Sequence, residues 1–223
     1  MEVNLLTVCT TTYNRVLNEL FIPTIPKSFD SITVEHYLND DAVPGVIDSD
    51  NFKKLSYKKM VLIHQHIKMN FNKVLIFCDI DIAIFRDFKD DILNRIVDYD
   101  ILFQDNTNGT YNCGLMVFKC SEKVLNFWEL IMKNYNEDNH SFMNEQFAIN
   151  ELIHNTDIKH NYLPKEYHCN YTEFHPTPDG GHLNNVISII PENAILCHCI
   201  LASGGENGKY QIMSGLLKHY KIL

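Results

Sequence analysis

Two aspartates, Asp79 and Asp81, stand inside the apolar stretch "KVLIFCDIDIAIFRDF" (Lys73 to Phe88). A charge in an apolar core is costly unless it is paired or bound to a metal ion. In an extended strand, side chains two residues apart lie on the same face, so both carboxylates are expected to point the same way. A hard divalent cation between them would relieve their repulsion. The spacing therefore predicts a metal site; the alternative is a pair that only reaches solvent or caps the next element.

Strands and helices alternate on either side of this pair. Apolar runs predict strands over Val3 to Thr10, over Ile32 to Leu38 and within the opening stretch. The polar turn "TTYN" follows the first strand, and apolar residues at helical spacing predict a helix that Ser56 caps, just before the opening stretch. This alternation is typical of a mostly parallel sheet with helices on both faces, and ligands of such sheets bind beyond the carboxyl ends of the strands.

The second half of the chain continues the pattern and then loosens. The sequence predicts a short helix from Asp90, followed by strands at "DILFQD" and "TYNCGLMVFKC" that the turn "NTNG" joins. It then predicts a helix capped by Ser121 and a further helix at "MNEQFAINELIH". A segment rich in His, Tyr, Pro and Gly follows Asn155, and such long loops are usually functional or disordered. A last strand, "NAILCHCIL", and the Gly-rich turn "ASGGENGKY" precede a short C-terminal helix. We expect one domain over 1–223, with a nucleotide-binding part at about 1–105 and an acceptor-side part at about 106–223.

Composition excludes some classes of partner. The 223 residues carry a net charge of -9 without a dense basic cluster, which argues against binding nucleic acid through its phosphates. The seven cysteines are scattered without CxxC spacing, which favours buried, reduced thiols. No signal peptide or membrane-length apolar stretch is apparent, so we expect a cytoplasmic protein without an integral membrane segment. The sequence leaves the oligomeric state open.

Five stretches together resemble a known family. In chain order they are "VLIFCDIDIAIFRD", "NCGLMVFK", "NEQFAIN", "LPKEYHCN" and "ILCHCILASGGENGK". They are similar to the motifs of GT-A fold glycosyltransferases, above all the glycogenin-like and related nucleotide-diphospho-sugar transferases. The chain departs from that pattern at Glu145, where Asp is commoner, and at Asn170 and Lys209, which come later than usual. The resemblance implies an α/β GT-A fold with a Rossmann-like, mostly parallel central sheet. It also implies metal-dependent transfer of a hexose from a nucleotide-sugar, with UDP favoured, to a glycan, protein or lipid-linked acceptor.

The same resemblance assigns the metal ligands. Asp81 would bind the ion directly, Asp79 would hold the ribose hydroxyls or a metal-bound water, and His198 would supply a nitrogen ligand. Two carboxylates and one imidazole suit Mn²⁺ or Mg²⁺ better than structural zinc. A zinc site at "CHC" is disfavoured, because Cys197 and Cys199 would face away from His198 in a strand.

The resemblance also implies the donor-binding residues. Thr10 would accept the edge of the nucleobase and Tyr13 would stack on it, unless "TTTYN" is an ordinary polar turn. Lys58 or Lys59 would reach the diphosphate, unless these lysines form a solvated helix face. The Gly-rich turn would close over the diphosphate with Lys209 as the cation. The expected donor-binding set is Thr10, Tyr13, Lys58, Asp79, Ile80, Asp81, Gly114 and Lys209.

The sugar-side residues include the expected catalytic groups. Asn112 and Gly114 would form a floor beneath the sugar, and Glu145 with Gln146 would contact its hydroxyls. The expected catalytic set is Asp81, Asn112, Glu145 and Gln146. An inverting enzyme needs a carboxylate base, and the eligible residues are Asp105, Glu145, Glu173 and Asp179. The His-rich loop would face the acceptor, and its histidines are more easily explained as hydrogen-bonding residues than as catalysts; they are His168, His175 and His182. The sequence leaves open whether the transfer retains or inverts the configuration at the anomeric carbon.

Two other functions remain as alternatives. A haloacid-dehalogenase-like phosphatase also has Asp-x-Asp after an apolar strand, with the first Asp as nucleophile. That family needs Thr or Val and a small turn after the second Asp, where this chain has Ile82 to Phe85, and its motif lies nearer the N-terminus. The other alternative is a non-catalytic module that binds a sugar-nucleotide.

Overall fold

A mixed β-sheet forms the centre of the protein. The computed structural model describes residues 1–37, 50–106, 109–137, 144–170, 172–175 and 181–223. The strands among these residues are β1 (Val3–Thr10), β2 (Ser31–Tyr37), β3 (Val74–Cys78), β4 (Ile82–Ile84), β5 (Ile101–Asp105), β6 (Tyr111–Lys119), β7 (His160–Tyr162), β8 (Tyr167–Cys169) and β9 (Leu196–His198). The central sheet has the order β2-β1-β3-β6-β5-β7, and a smaller sheet has the order β4-β9-β8.

The direction of the strands confirms the predicted sheet. In the central sheet only β6 is antiparallel to its neighbours, and the other strands all run the same way. Strand β3 is buried along its whole length, with Val74 and Ile76 in the core on one face and Leu75 and Phe77 in the core on the other. This burial on both faces explains why its sequence is a continuous apolar run.

Helices cover both faces, as predicted. They are α1 (11–24), α2 (Asp50–Met69), α3 (Lys89–Arg95), α4 (Glu122–Glu137), α5 (Glu145–Leu152), α6 (Gly181–Ile187) and α7 (Gly205–His219). Helices α2 and α4 pack on one face, where the indole of Trp128 donates a hydrogen bond to the Met60 carbonyl at 2.9 Å. Helices α1 and α3 pack on the other face through Leu17 and Ile92. No helix in the described ranges is long and apolar enough to cross a bilayer.

The segment after β1 differs from the prediction of a simple polar turn. From Thr11 the chain coils into α1, which includes a π-helical turn at Leu17–Phe21. Leu17, Leu20 and Phe21 are buried, so this helix is held by its apolar face.

The predicted helix caps had mixed outcomes. Ser56 was expected to cap the second helix, but α2 begins at Asp50 and Ser56 lies inside it, so that prediction was wrong. Ser121 does cap α4, since its hydroxyl accepts a hydrogen bond from the Val124 amide at 3.3 Å.

The C-terminal helix begins inside the predicted Gly-rich turn. Helix α7 starts at Gly205 and extends over 15 residues, so it is not short, and Lys209 lies in its first part. Gly204 and Gly205 have φ angles of 83° and 59°, in the left-handed region that favours glycine. The second strand ends at Tyr37; Leu38 and the "NTNG" residues Thr107 and Asn108 lie outside the described residues.

Candidate functional site

Three potential metal ligands meet where the two sheets join. Asp79 and Asp81 lie in the short turn that joins β3 to β4. The sequence suggested an extended strand at these positions, so that expectation was wrong. His198 ends β9 and is paired with Ile82. One ligand atom from each of the three side chains lies within 4.8 Å of the others. The His198 Nε2 atom is 3.1 Å from Asp81 Oδ1 and 4.0 Å from Asp79 Oδ2.

The imidazole of His198 is oriented for metal binding. Its Nδ1 atom lies 3.1 Å from both Gln104 Oε1 and Asn112 Oδ1. The Gln104 amide nitrogen donates to the backbone carbonyls of Tyr167 and His168, which directs its oxygen towards the imidazole. Because both neighbours are acceptors, Nδ1 carries a proton and Nε2 faces the aspartates. Metal-binding histidines are typically held in this way, and the two carboxylates supply the oxygen ligands that Mn²⁺ and Mg²⁺ prefer.

Neighbouring charges and burial shift the pKa values of the three potential metal ligands. Burial alone would lower the pKa of His198, but the adjacent Asp81 carboxylate raises that pKa to about 10. Burial would raise the pKa of Asp81, but Lys209 and His198 hold it well below its usual range. Burial raises the pKa of Asp79, while Lys59 opposes the shift. A metal ion at Nε2 would therefore compete with the proton that the Asp81 carboxylate favours there.

Gly114 leaves room for this imidazole. A Cβ atom at Gly114 would lie 2.0 Å from His198 Cε1, much closer than atoms can approach. The Gly114 amide donates to Asn112 Oδ1 at 2.8 Å, the same oxygen that faces His198 Nδ1. The structure thus places Asn112 and Gly114 against the histidine, and their predicted contact with the sugar stays a prediction.

Lys59 links the first aspartate to helix α5. Its ammonium group is 3.2 Å from Asp79 Oδ1, 2.8 Å from Glu145 Oε1 and 3.4 Å from the Cys113 carbonyl. An ammonium group has three N–H donors, and all three have an acceptor here. Lys58 is exposed and does not line the cleft, whereas Lys59 does; the contact with the diphosphate that the sequence offered to either lysine stays a prediction.

Glu145 is fixed by two partners. The Ser56 hydroxyl donates to Glu145 Oε2 and accepts from the Glu145 amide at 3.0 Å, while Lys59 holds Oε1. Burial would raise the pKa of Glu145, but Lys59 and Ser56 outweigh it and lower that pKa. The side chain of Gln146 accepts a hydrogen bond from the Cys113 amide at 3.1 Å. Helix α5 is therefore tied to α2 and to β6 at its first turn.

Lys209 is held against the second aspartate. It donates to Asp81 Oδ2 at 2.6 Å, to the Ile200 carbonyl at 2.6 Å and to the Cys199 carbonyl. These contacts use all three of its donors. Each aspartate thus has one oxygen bound to a lysine and the other oxygen towards His198.

A cleft of about 660 Å³ contains this cluster. Of the residues that the sequence selected, Lys58 is outside it and the following line it: Thr10, Tyr13, Asp79, Ile80, Asp81, Asn112, Gly114, Glu145, Gln146, His198 and Lys209. The sequence reading missed several further lining residues, among them Tyr37, Phe52, Leu55 and Phe147. The helical spacing of Phe52, Leu55 and Lys59 indicates that they share one helix face, and this signal was available in the sequence. No sequence pattern marked Phe147 as a residue that lines the cleft.

Comparison with known families decides the assignment. A model of the nucleotide-diphospho-sugar transferase family matches residues 27–195. The chain belongs to this family. The match favours the transferase over the phosphatase alternative, and it supports a nucleotide-sugar as the donor. A comparison with the sequences of curated proteins gave no match.

Solved structures confirm the GT-A fold of this transferase. A glycosyltransferase involved in glycosylation of the major capsid of PBCV-1 has a TM-score of 0.60 at 11% identity, covering 94% of this chain and 99% of that one. The glycosyltransferase GlyE of Streptococcus pneumoniae TIGR4 has a TM-score of 0.60 at 10% identity, and the match covers all of this chain but 62% of GlyE. The galactosyltransferase LgtC, solved with donor and acceptor sugar analogues, has a TM-score of 0.55 at 12% identity with 95% of each chain covered.

The four carboxylates that the sequence offered as a catalytic base differ in their position relative to the cleft. Glu145 is ionised and bonded through both oxygens, as described above. Asp105 is exposed at the end of β5, and the side chain of Glu173 is 74% exposed beside His175; neither lines the cleft. Asp179 lies outside the described residues. Among the described residues of the cleft, every carboxylate is therefore already paired with a lysine or histidine.

Cys113 lines the cleft and Cys169 Sγ lies 4.0 Å from His198 Nδ1, whereas the described loop histidines and the two cysteines beside His198 do not line the cleft. His168 and His175 do not line the cleft, and the side chain of His182 lies outside the described part of the chain. Cys197 and Cys199 are buried in a separate apolar cluster, as expected for core residues. All seven cysteines are free and buried.

Proposed function

We propose that this transferase moves a hexose from a UDP-sugar to an acceptor hydroxyl of a glycan, protein or lipid, with Mn²⁺ or Mg²⁺ held by Asp79, Asp81 and His198. One observation carries the proposal. Two carboxylates and a pre-oriented imidazole converge in a large cleft of a nucleotide-diphospho-sugar transferase. A bound divalent cation would neutralise charge on the departing diphosphate.

The chain's own residues would divide the work between two ends of the cleft. Thr10 and Tyr13 would hold the nucleobase, because they line the cleft on the side of Asp81 and Lys209. Lys209 would exchange its bond with Asp81 for the diphosphate. At the other end, the Glu145 carboxylate, held in place by the buried ammonium group of Lys59, would accept hydrogen bonds from the hydroxyls of the sugar. These positions leave the anomeric carbon beside the metal ligands, where charge develops on the leaving group.

We also propose that the chain works as one domain in a reducing compartment such as the cytoplasm. The first proposal is supported by β6, which belongs to the acceptor-side part yet lies between β3 and β5 of the nucleotide-binding part. The second is supported by the seven free cysteines, since oxidising compartments favour disulfides.

The proposed donor can be tested by thermal denaturation with UDP-, GDP-, dTDP- and CMP-sugars, each with and without Mn²⁺. A ligand that binds only the folded state raises the melting temperature. We expect a UDP-sugar to stabilise the protein only with Mn²⁺, and Asp81→Asn to abolish the shift. Asp105→Asn, at an exposed carboxylate outside the cleft, is the matched control. Stabilisation by a phosphate mimic with Mg²⁺ but by no nucleotide-sugar would contradict the proposal.

Turnover separates an enzyme from a non-catalytic binding module. We expect slow Mn²⁺-dependent release of UDP from the UDP-sugar even without an acceptor. Binding of the donor with no release of UDP under any condition would support the binding module instead.

A further inference from the structure

One wall of the cleft changes from charged to apolar towards its mouth. Phe52, Leu55, Ser56 and Lys59 occupy one face of α2 at helical spacing, and all four line the cleft. With a rise of about 1.5 Å per residue, Leu55 lies about 6 Å and Phe52 about 10 Å from Lys59 along the helix axis. The wall therefore presents an ammonium group, then a hydroxyl group, then two apolar side chains.

Phe147 continues this apolar surface from the neighbouring helix. It lies in the first turn of α5 and lines the cleft, yet it is 47% exposed. Side chains on a helix tilt towards its N-terminus, which is the end that Ser56 ties to α2 through Glu145. We call Phe52, Leu55 and Phe147 the apolar mouth. An exposed aromatic ring in the lining of a cleft usually marks a binding surface.

Charge and position limit what the apolar mouth can bind. Lys59 and Lys209 are the only lysine or arginine side chains that line the cleft within the described part of the chain, and both have all their donors engaged. In the proposed function Lys59 stays bonded to Asp79 and Glu145 while Lys209 turns to the diphosphate, so neither lysine is left for an anionic acceptor. The donor's own charged groups would lie beside Lys209 and the metal ligands, and not at Phe52. Among the described residues, the apolar mouth is a partly exposed region of the lining that lies apart from these charged groups, so we expect the second substrate to approach there.

We propose that the apolar mouth binds the acceptor, and that the acceptor is a neutral glycan whose terminal ring stacks on Phe147. A pyranose ring has an apolar face of C–H groups that suits an aromatic ring, while its hydroxyls stay in water at the rim. This inference rests on the proposed function, because it assigns the second substrate of the same site.

The test compares Phe147→Ala, Phe147→Trp and the control Phe71→Ala. Phe71 is 36% exposed and lies in the turn before β3, at the end of that strand opposite Asp79. Transfer from UDP-glucose or UDP-galactose is measured with methyl glycosides of glucose, galactose, mannose and N-acetylglucosamine. We expect Phe147→Ala to raise the acceptor KM about tenfold with little change in kcat, and Phe147→Trp to restore it. The Kd for UDP with Mn²⁺ and acceptor-free hydrolysis should stay unchanged, as should every parameter of Phe71→Ala.

Other outcomes would overturn the inference in distinguishable ways. An unchanged acceptor KM in Phe147→Ala would show that the ring does not contact the acceptor. A weaker Kd for UDP would assign Phe147 to the nucleobase. Transfer to peptides or polyprenyl phosphates but to no neutral glycoside would exclude the proposed acceptor class. If the unaltered protein neither binds UDP with Mn²⁺ nor hydrolyses a UDP-sugar, the proposed function itself fails, and this inference fails with it.

Discussion

Replacing Lys209 with methionine should change metal binding and nucleotide binding in opposite directions. In the structure its ammonium group donates to Asp81 Oδ2 at 2.6 Å, and the side chains of Lys209 and Asp81 are only 12% and 18% exposed. Methionine keeps an unbranched side chain up to the ε position and removes the ammonium group with its charge. The substitution therefore releases one oxygen of a proposed metal ligand and also removes the proposed partner of the diphosphate.

The size of the effect on metal binding follows from Coulomb's law. With the ammonium group on one carboxylate oxygen and a divalent ion on the other, the two cations lie about 5 Å apart. Their repulsion is about 2 kcal/mol at the dielectric constant of water and about 7 kcal/mol at an effective value near 20. Because about 1.4 kcal/mol corresponds to a factor of ten, even the lower figure predicts at least tenfold tighter Mn²⁺ binding in Lys209→Met.

Nucleotide binding should become weaker in the same variant. A hydrogen bond between charged groups contributes about 1.5–3 kcal/mol, so the Kd for UDP at saturating Mn²⁺ should rise by roughly 10- to 100-fold. Titration calorimetry of Mn²⁺ alone, and of UDP with Mn²⁺ present, measures both effects. Lys218→Met, in the exposed last turn of α7, controls for loss of charge on the same helix. Weaker Mn²⁺ binding in Lys209→Met would refute the reasoning, because Lys209 would then support the metal site and not compete with it. Unchanged UDP binding would refute the phosphate contact.

Two further substitutions test how the site is held together. Gly114→Ala should abolish Mn²⁺ binding and lower the free energy of unfolding by about 1–3 kcal/mol, because the new methyl group would overlap the His198 ring. A Mn²⁺ titration and urea denaturation measure these two effects, and normal Mn²⁺ binding would contradict the geometry. Ser56→Ala should lower the free energy of unfolding by about 1–3 kcal/mol, because it removes a buried hydrogen-bond partner of Glu145. Ser214→Ala, at a partly exposed position in α7, is the control. Equal effects of the two substitutions would argue against a special role for Ser56.

The candidate metal ligands were found from the sequence in two ways, since only the signal of the two aspartates is local. Asp79 and Asp81 interrupt an apolar run, and a buried strand explains that run. His198 was assigned through family resemblance, and the structure places it beside both aspartates. These three residues were found without any knowledge of how the two sheets meet.

Contacts between distant elements were not accessible in this way. Nothing in the sequence distinguishes Lys58 from Lys59 unless the rotation of α2 about its axis is known to within one residue. Gln104 holds the His198 imidazole from a different sheet, and no spacing rule connects residues 94 positions apart. Helix α1 was missed although Val16, Leu17, Leu20 and Phe21 recur at helical spacing, because the polar residues before them indicated a turn.

The most direct test of the metal and nucleotide assignment is a crystal structure with Mn²⁺ and UDP, using data collected at the manganese absorption edge. The account predicts one anomalous peak within coordination distance of Asp79, Asp81 and His198 Nε2, adjoining both phosphates of UDP, with Lys209 turned from Asp81 towards the diphosphate. A peak elsewhere, or UDP bound in the cleft with no metal ion between its phosphates and the two aspartates, would contradict the central claim.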